Sequence, residues 1–229
     1  MSRTLKTDIP GPDHRVGLEE IHERGFQDIF AGRVPEAGPL VVEIGFGRGE
    51  FLRGLAEAEP EQPFVGIELS YKRVLKMARR LAVSPIRNVV LVEGHAEEIL
   101  REGFADGSVA GFWLNFPDPW PKKRHARRRF VQAESLAWIT RRLRPGGWFR
   151  AATDDPTYAE WIDEHLRATQ GLRNAYAPDP WRPAVEGRQP TAYELEWRAL
   201  GRSFHFFEYV RTEPSEVSSG ADTAEAPAS

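Results

Sequence analysis

The sequence predicts an α/β protein with a doubly wound, mostly parallel sheet of seven strands, an antiparallel C-terminal strand and helices on both faces. Short apolar runs alternate with amphipathic stretches over about 120 residues from position 40 onward, which is the pattern of strand–helix units in a parallel sheet. A last apolar and aromatic run at 204–210 comes after a long Pro- and Arg-rich loop. We expect this run to complete the sheet as its antiparallel member.

Strands are predicted from short runs of apolar residues that stop at turns. The first run, Leu-Val-Val-Glu-Ile at 40–44, stops at a glycine turn. The runs after it lie at 64–68, 88–92, 109–114 and 148–152. In such sheets, ligands bind beyond the carboxyl ends of the strands. The residues expected to converge there are Gly45, Glu68, His95, Asn115 and Thr153.

Helices are predicted where apolar residues recur every three to four positions. Ser70 is placed to cap the helix after the second strand, and Pro156 stands in the first turn of a later helix, where proline is favoured. The Arg-Pro-Gly-Gly run at 144–147 is expected to end a helix. The predicted helices are 17–30, 50–58, 71–81, 96–101, 129–143, one that begins near 156, and 191–200.

Three segments follow from this pattern. Residues 1–39 are predicted to be an N-terminal extension with one helix, and residues 40–212 the α/β domain. Residues 213–229 carry four acidic residues, no Lys or Arg and little to bury, so we expect a disordered acidic tail. The net charge is -3, and without the tail 31 basic residues face 30 acidic ones. Any strongly basic patch is therefore local.

The composition excludes several classes of protein. The chain has no cysteine, which rules out disulfides, thiolate nucleophiles and cysteine-based metal sites. Its six histidines form no pair at metal-ligand spacing, so no metal is expected. No apolar run is long enough to span a membrane, and the N-terminus lacks a signal-peptide core. We therefore expect a cytoplasmic protein with no membrane partner.

A glycine turn, Gly45-Phe46-Gly47-Arg48-Gly49, joins the first strand to its helix. Glycine lets the backbone approach a ligand closely and adopt positive φ. The spacing is GxGxG, whereas dinucleotide sites use GxGxxG. The carboxylate of Glu43 would repel a pyrophosphate but favour a methionine ammonium, and Glu68 is placed to accept hydrogen bonds from a ribose diol. These features favour S-adenosylmethionine over NAD, while a tight turn that binds no ligand stays an alternative.

The stretch from Phe112 to Phe130 combines a strand end, a stiff acidic turn and a run of cations. Prolines on both sides of Asp118 restrict its backbone, so the carboxylate is placed to orient a planar base. An Asx turn without further function is the alternative. Six of the eight residues at 122–129 are Lys or Arg. Such a density of cations beside Trp and His favours phosphate binding over a solvated helix start.

The segment LNFPDPWPKKRH at 114–125, followed by Arg128 and Arg129, resembles the signature of the bacterial tRNA (guanine-N7-)-methyltransferases. Further matches stand in family order at 42–47, 66–68, 143–147, 153–154 and 191–194. The resemblance implies a Rossmann-like methyltransferase that transfers a methyl group from S-adenosylmethionine to N7 of a guanosine in the variable loop of tRNA.

Carried over position by position, the resemblance implies a role for each matching residue. Asp118 would be the catalytic-site acid. The cofactor-binding residues would be Glu43, Gly45, Gly47, Glu68, His95, Ala96 and Asp118; the substrate-binding residues Lys122, Asp154, Thr191 and Glu194; the RNA-binding residues Lys123, Arg124, His125, Arg127, Arg128 and Arg129. The family usually has Asp-Ala where this chain has His95-Ala96, so contact there would come either from the backbone or from the His95 ring. Thr191 to Glu194 also fits a capping box, and Asp154 a helix cap, and neither needs a ligand.

Guanine N7 carries a lone pair and no proton, so methyl transfer to it needs no general base. We therefore expect Asp118 to orient guanine by accepting hydrogen bonds from base N–H groups, and to offset the charge of the cationic product. tRNA is the expected partner; no obligate protein partner is predicted, and the chain is expected to be a monomer or a homodimer. The alternatives are another S-adenosylmethionine-dependent RNA or DNA base methyltransferase, an NAD-dependent oxidoreductase, and a non-catalytic RNA-binding module.

Overall fold

The computed structural model describes residues 7–35 and 38–213 of the chain. Its strands are β1 (Arg15–Val16), β2 (Leu40–Ile44), β3 (Phe64–Glu68), β4 (Val89–Glu93), β5 (Val109–Asn115), β6 (Leu143–Thr153), β7 (Leu172–Asn174) and β8 (His205–Arg211). They form one sheet in the order β1-β4-β3-β2-β5-β6-β8-β7. Strands β1 to β6 pair in parallel, and β8 pairs antiparallel with β6 and β7. The direction of strand order reverses between β2 and β5, and such switch points are where doubly wound sheets bind ligands.

Helices cover both faces of the sheet. Successive residues of a strand point to opposite faces, and in β2 all of them are buried, so each face packs against helices. The helices are α1 (Leu18–Phe30), α2 (Glu50–Ala58), α3 (Tyr71–Ala82), α4 (Ala96–Glu102), α5 (Ala133–Arg142), α6 (Pro156–Ala168) and α7 (Ala192–Arg198), with a 3-10 helix at Lys123–Arg128. On β2, Val41 belongs to the core under α2 and α3, whereas Val42 belongs to the core under α1, α4, α5 and α6. The predicted fold class is thereby confirmed.

The structure differs from the prediction at several boundaries. The sheet has eight strands and not seven: besides the six runs located in the sequence, it contains β1, which precedes residue 40 and pairs with β4, and the short β7, which pairs with β8. Strand β8 is the expected antiparallel member; β7 pairs antiparallel with β8 and therefore runs in the same direction as β6. The helix predicted at 129–143 begins only at Ala133, since the basic run forms a separate 3-10 helix. The predicted acidic tail lies outside the described residues except for Glu213.

Strand β6 also begins earlier than predicted, at Leu143. Its register against β5 jumps from Val109–Leu143 to Gly111–Trp148. The Arg-Pro-Gly-Gly run at 144–147 therefore forms a bulge within β6. It follows directly after α5, so the helix does end where the sequence predicted.

Candidate active site

A cavity of about 430 Å³ opens at the carboxyl edge of the sheet, where β2, β3, β4 and β5 end. Its wall contains five of the residues predicted to bind a cofactor: Gly45, Glu68, His95, Ala96 and Asp118. These residues are scattered in sequence, and the parallel sheet brings the strand ends that carry them together. The volume is within the usual range of small-molecule sites, about 300–1,000 Å³.

Glu68 is fixed at the end of β3 by backbone donors. Its Oε2 accepts a hydrogen bond from the N–H of Gly47 at 2.9 Å, and its Oε1 accepts one from the N–H of Ser70 at 2.9 Å. A guanidinium nitrogen of Arg73 lies 3.5 Å from Oε2. A carboxylate has about four lone-pair sites, so Glu68 keeps acceptor capacity for hydroxyl donors in the cavity, in an orientation set by the glycine turn.

Glu43 is buried and is not part of the cavity wall. Its Oε1 accepts a hydrogen bond from Nδ2 of Asn115 at 3.1 Å, while Oε2 has no hydrogen-bond partner among the described residues. Burial raises the pKa of Glu43 to about 7, although the Asn115 donor and the nearby Arg188 charge act in the opposite direction. Near neutral pH the side chain is therefore divided between its protonated and ionised forms.

A buried chain of polar contacts leads from Glu43 to α7. The Oδ1 atom of Asn115 accepts a hydrogen bond from Nη2 of Arg188 at 2.7 Å, and Nη1 of Arg188 pairs with Glu194. The side chains of Arg188 and Glu194 are each only 5% exposed. The second oxygen of Glu194 accepts a hydrogen bond from Arg198 at 2.7 Å. Glu194 is thus held between two arginines, and it ties α7 to the end of β5.

The turn around Asp118 is strained. Phe116 and Trp120, which flank it, have φ values of 51° and 42°, in the left-handed region that non-glycine residues avoid. The Nε of Arg129 donates a hydrogen bond to the Pro119 carbonyl at 2.8 Å. The Asp118 carboxylate is exposed and lines the cavity, and within residues 7–35 and 38–213 it has no hydrogen-bond or ion-pair partner. Strain of this kind is typical of functional sites, and here it leaves both carboxylate oxygens available.

The cationic run divides into an outer and an inner part. The basic side chains exposed to solvent are Lys122, Lys123, Arg124, Arg127 and Arg128, and His125 is half-buried. Arg128 lines the cavity and lies 4.9 Å from the ring centre of Trp120. Arg129 is the exception: it is 6% exposed and lies over the rings of Tyr158 and Trp161 at 5.1 and 4.8 Å. Its hydrogen bond to the Pro119 carbonyl therefore holds the acidic turn from inside the protein.

Asp154 and Thr191 lie next to α7 and outside the cavity wall. The Oδ2 atom of Asp154 accepts a hydrogen bond from the Tyr193 hydroxyl at 3.0 Å, and the Tyr193 ring packs 5.0 Å from Phe116. The cap of α6 is Asp155, so the suggestion that Asp154 caps this helix is wrong. Thr191 does cap α7, because its hydroxyl accepts the N–H three residues on at 3.0 Å. These contacts hold α7 against the Asp118 turn.

The structure thus brings only part of the predicted set into one cavity. The predicted residues that lie outside its wall are Glu43, Gly47, Lys122 to Arg127, Arg129, Asp154, Thr191 and Glu194. Sequence reasoning missed Arg73, although its place in the first turn of α3, three residues after the Ser70 cap position, is a detectable signal. It also missed Arg188, which lies in the Pro- and Arg-rich loop, where no periodicity marks a buried position.

Two further observations concern other classes of site. In the part of the chain that the structure describes, no helix has both the length and the apolar character needed to cross a membrane. Among the same residues, no three His, Asp or Glu side chains are grouped so that they could hold a metal ion.

Solved structures that resemble this chain include methyltransferases. The 16S rRNA methyltransferase KamB aligns with a TM-score of 0.59 at 16% identity, over 80% of this chain and 93% of that one. A 16S rRNA (adenine(1408)-N(1))-methyltransferase from Catenulisporales acidiphilia, solved with its cosubstrate SAM, aligns with a TM-score of 0.55 at 20% identity, over 82% and 92%. A family model described as putative methyltransferase matches residues 37–207. The fold is therefore that of the Rossmann-like methyltransferases, and residues 37–207 match a methyltransferase family model.

Relatives with higher sequence identity show which methyltransferase family the chain belongs to. A tRNA (guanine-N(7)-)-methyltransferase from Geobacter metallireducens is 36% identical over 176 residues, 77% of this chain and 83% of the relative. One from Leifsonia xyli is 39% identical over 199 residues, 87% of this chain and 84% of the relative. The chain belongs to the tRNA (guanine-N(7)-)-methyltransferase family.

Proposed function

We propose that this protein transfers a methyl group from S-adenosylmethionine to N7 of a guanosine in the variable loop of tRNA, as an enzyme of the cytoplasm. The observation that carries the proposal is that one cavity joins the anchored carboxylate of Glu68 to the free carboxylate of Asp118. Arg128 and Trp120 stand at the same cavity, beside an exposed run of cations. In this proposal, a methyl-donor site and a polyanion site would share a single opening.

The residues present fit S-adenosylmethionine. Gly45 has a φ of 70° and no atom within 4 Å of the place a Cβ would take, so its backbone is open to a ligand. Glu68 would accept the ribose hydroxyls, and His95 and Ala96 would contact the adenosine at the start of α4. Glu43 lies outside the cavity wall, and its Oε2, which has no partner among the described residues, would receive a donor from the methionine end directly or through water; its ionised form would hold an ammonium more strongly. When bound, the cofactor supplies an electrophilic methyl group.

The chemistry asked of the protein is alignment. Guanine N7 has a lone pair and loses no proton, so Asp118 acts as an acceptor for base N–H groups and offsets the positive charge of the product. Alignment of this kind can lower the barrier by about 7–11 kcal/mol in favourable cases. The strained turn, held by Arg129, keeps the Asp118 carboxylate at the cavity wall.

The exposed cations would provide tRNA affinity. Lys122 to Arg128 would contact phosphates, which gives affinity and register with little base specificity, so selection of tRNA would depend on its shape. Asp154, Thr191 and Glu194 would act on the substrate through the position of α7. In that role Arg188 is a positioning residue, because it links Glu194 to Asn115 at the end of β5.

The test is incubation with labelled S-adenosylmethionine and unmodified tRNA, followed by nucleoside analysis for 7-methylguanosine. Asp118→Ala should lower turnover by about 10²–10³-fold, with S-adenosylmethionine binding kept within about threefold in a calorimetric titration. Asp179→Ala is a matched control, since Asp179 is also exposed but lies outside the cavity wall. Wild-type activity for Asp118→Ala, or methylation at another atom of the base, would refute the assignment.

A further inference from the structure

Helix α3 carries five basic residues and no acidic one. Two of the five are neutralised: Arg73 lies 3.5 Å from Glu68, and Arg79 lies 3.0 Å from Asp8. The other three are Lys72, Lys76 and Arg80, which we name the α3 stripe. All three are exposed, and within the described ranges none has a carboxylate within 4.0 Å.

The α3 stripe is unusual for this protein. Its residues are spaced i, i+4, i+8, so they lie along one side of the helix over about 12 Å and repel one another. Four other helices instead pair a basic residue with an acidic one at i, i+4: Glu20–Arg24, Arg53–Glu57, Asp163–Arg167 and Glu194–Arg198. A solvated helix face would gain from the same pairing. Uncompensated cations on α3 are therefore better explained by a polyanionic partner that supplies the missing charge.

The α3 stripe starts beside the cavity. Helix α3 follows Glu68 directly, and Leu69 and Arg73 belong to the cavity wall together with Trp120 and Arg128 from the run after β5. Leu69 and Tyr71 are 58% and 44% exposed at the start of the helix. Basic side chains beside an exposed aromatic ring form a surface suited to a nucleic-acid strand, because the ring can stack on a base.

We propose that the α3 stripe is a second phosphate-binding surface, which holds RNA on the side of the cavity opposite the cationic run at 122–128. The proposal rests on the proposed tRNA substrate and extends it. A membrane surface fits less well, because the apolar side chains of α3 are buried in the core, and none of its own large aliphatic residues is left to enter a bilayer.

The experiment compares the wild type, Lys72→Gln/Lys76→Gln, and a charge-matched control, Arg144→Gln/Arg173→Gln, whose two residues are exposed outside the cavity. Binding of labelled unmodified tRNA is measured by fluorescence anisotropy between 50 and 300 mM salt. The stripe variant should bind about five- to tenfold more weakly at 100 mM salt. Its slope of log K against log salt should be smaller by about 1.4–1.8, which corresponds to two lost phosphate contacts. At saturating tRNA its kcat should equal that of the wild type, with a raised KM.

Equal affinity and equal salt slope for the stripe and control variants would overturn the proposal. So would a stripe variant that loses binding to phosphatidylserine vesicles while it binds tRNA normally. A wild type that neither binds nor methylates tRNA would instead refute the proposed function, and the stripe with it. The two failures are therefore distinguishable. Matching melting temperatures for all three proteins exclude a folding defect.

Discussion

Replacement of Arg188 by Met tests whether the buried chain from Glu43 to α7 stabilises the fold. Arg188→Met keeps an apolar stem near the rings of Phe51 and Phe206, which lie 5.4 and 4.8 Å from the guanidinium. It removes the hydrogen bond to Asn115 and the pair with Glu194, leaving a 5%-exposed carboxylate with Arg198 alone. Breaking a buried pair from one side costs about 3–5 kcal/mol.

The assay is urea unfolding at pH 7 and 25 °C. With a urea m value of about 3 kcal/mol/M, the midpoint should fall by about 1–1.7 M. Arg198→Met is the matched control, because Arg198 pairs with the same Glu194 but is 48% exposed; its loss should be at most about 1 kcal/mol. Arg188→Met/Glu194→Leu removes both buried charges and should recover most of the loss. If Arg188→Met lost less than about 1 kcal/mol, or no more than Arg198→Met, the buried chain would not have the stabilising role assigned to it.

Two further predictions concern Glu43 and the cationic run. Because burial raises the folded-state pKa of Glu43 from its ordinary value of 4.5 to about 7, the folded state keeps a proton that the unfolded state loses. The wild type should thus lose up to about 3 kcal/mol of stability as pH rises from 4.5 through 7. Urea unfolding at pH 5 to 8 measures this loss, and Glu43→Gln should not show it. If the free energies of unfolding of wild type and variant changed with pH in parallel, the prediction would be wrong. Arg128→Ala should weaken tRNA binding, measured by fluorescence anisotropy, without changing stability. Arg129→Ala should lower the melting temperature, because Arg129 is buried. The opposite pattern would contradict the division of the cationic run into exposed RNA-binding residues and a buried structural one.

The sequence revealed the parts of the site that follow from the parallel sheet. Strand runs that end in Gly45, Glu68 and Asn115 had to meet at one edge, and they do. It could not reveal β1, because a two-residue strand is too short for any alternation to show. Nor could it separate Arg129 from its neighbours, since the six basic residues at 122–129 look alike in sequence, and only the end of the 3-10 helix turns Arg129 inward.

Long-range polar contacts were the least predictable part. Arg188 lies 73 positions from Asn115 in sequence and reaches it from an irregular loop. Whether a loop arginine is buried depends on which carboxylate the fold brings near, and no local pattern records that. The same reason explains why Glu194 resembled a ligand-binding residue from its motif, while in the structure both of its oxygens are taken by arginines.

The backbone around Asp118 is fixed by forces that involve no ligand: two prolines, a left-handed residue on each side, and the Arg129 donor. The strain of that conformation, about 1–3 kcal/mol for each left-handed residue, lowers the free energy of unfolding and is not part of the free energy of binding. Under the proposed function, an incoming guanosine would therefore meet an acceptor that is already oriented, and this segment would add no ordering entropy to the binding step. With the acceptor formed in advance, the turn would discriminate guanine from other bases through their dissociation rates, because a base with fewer matching N–H donors would make fewer contacts and leave sooner.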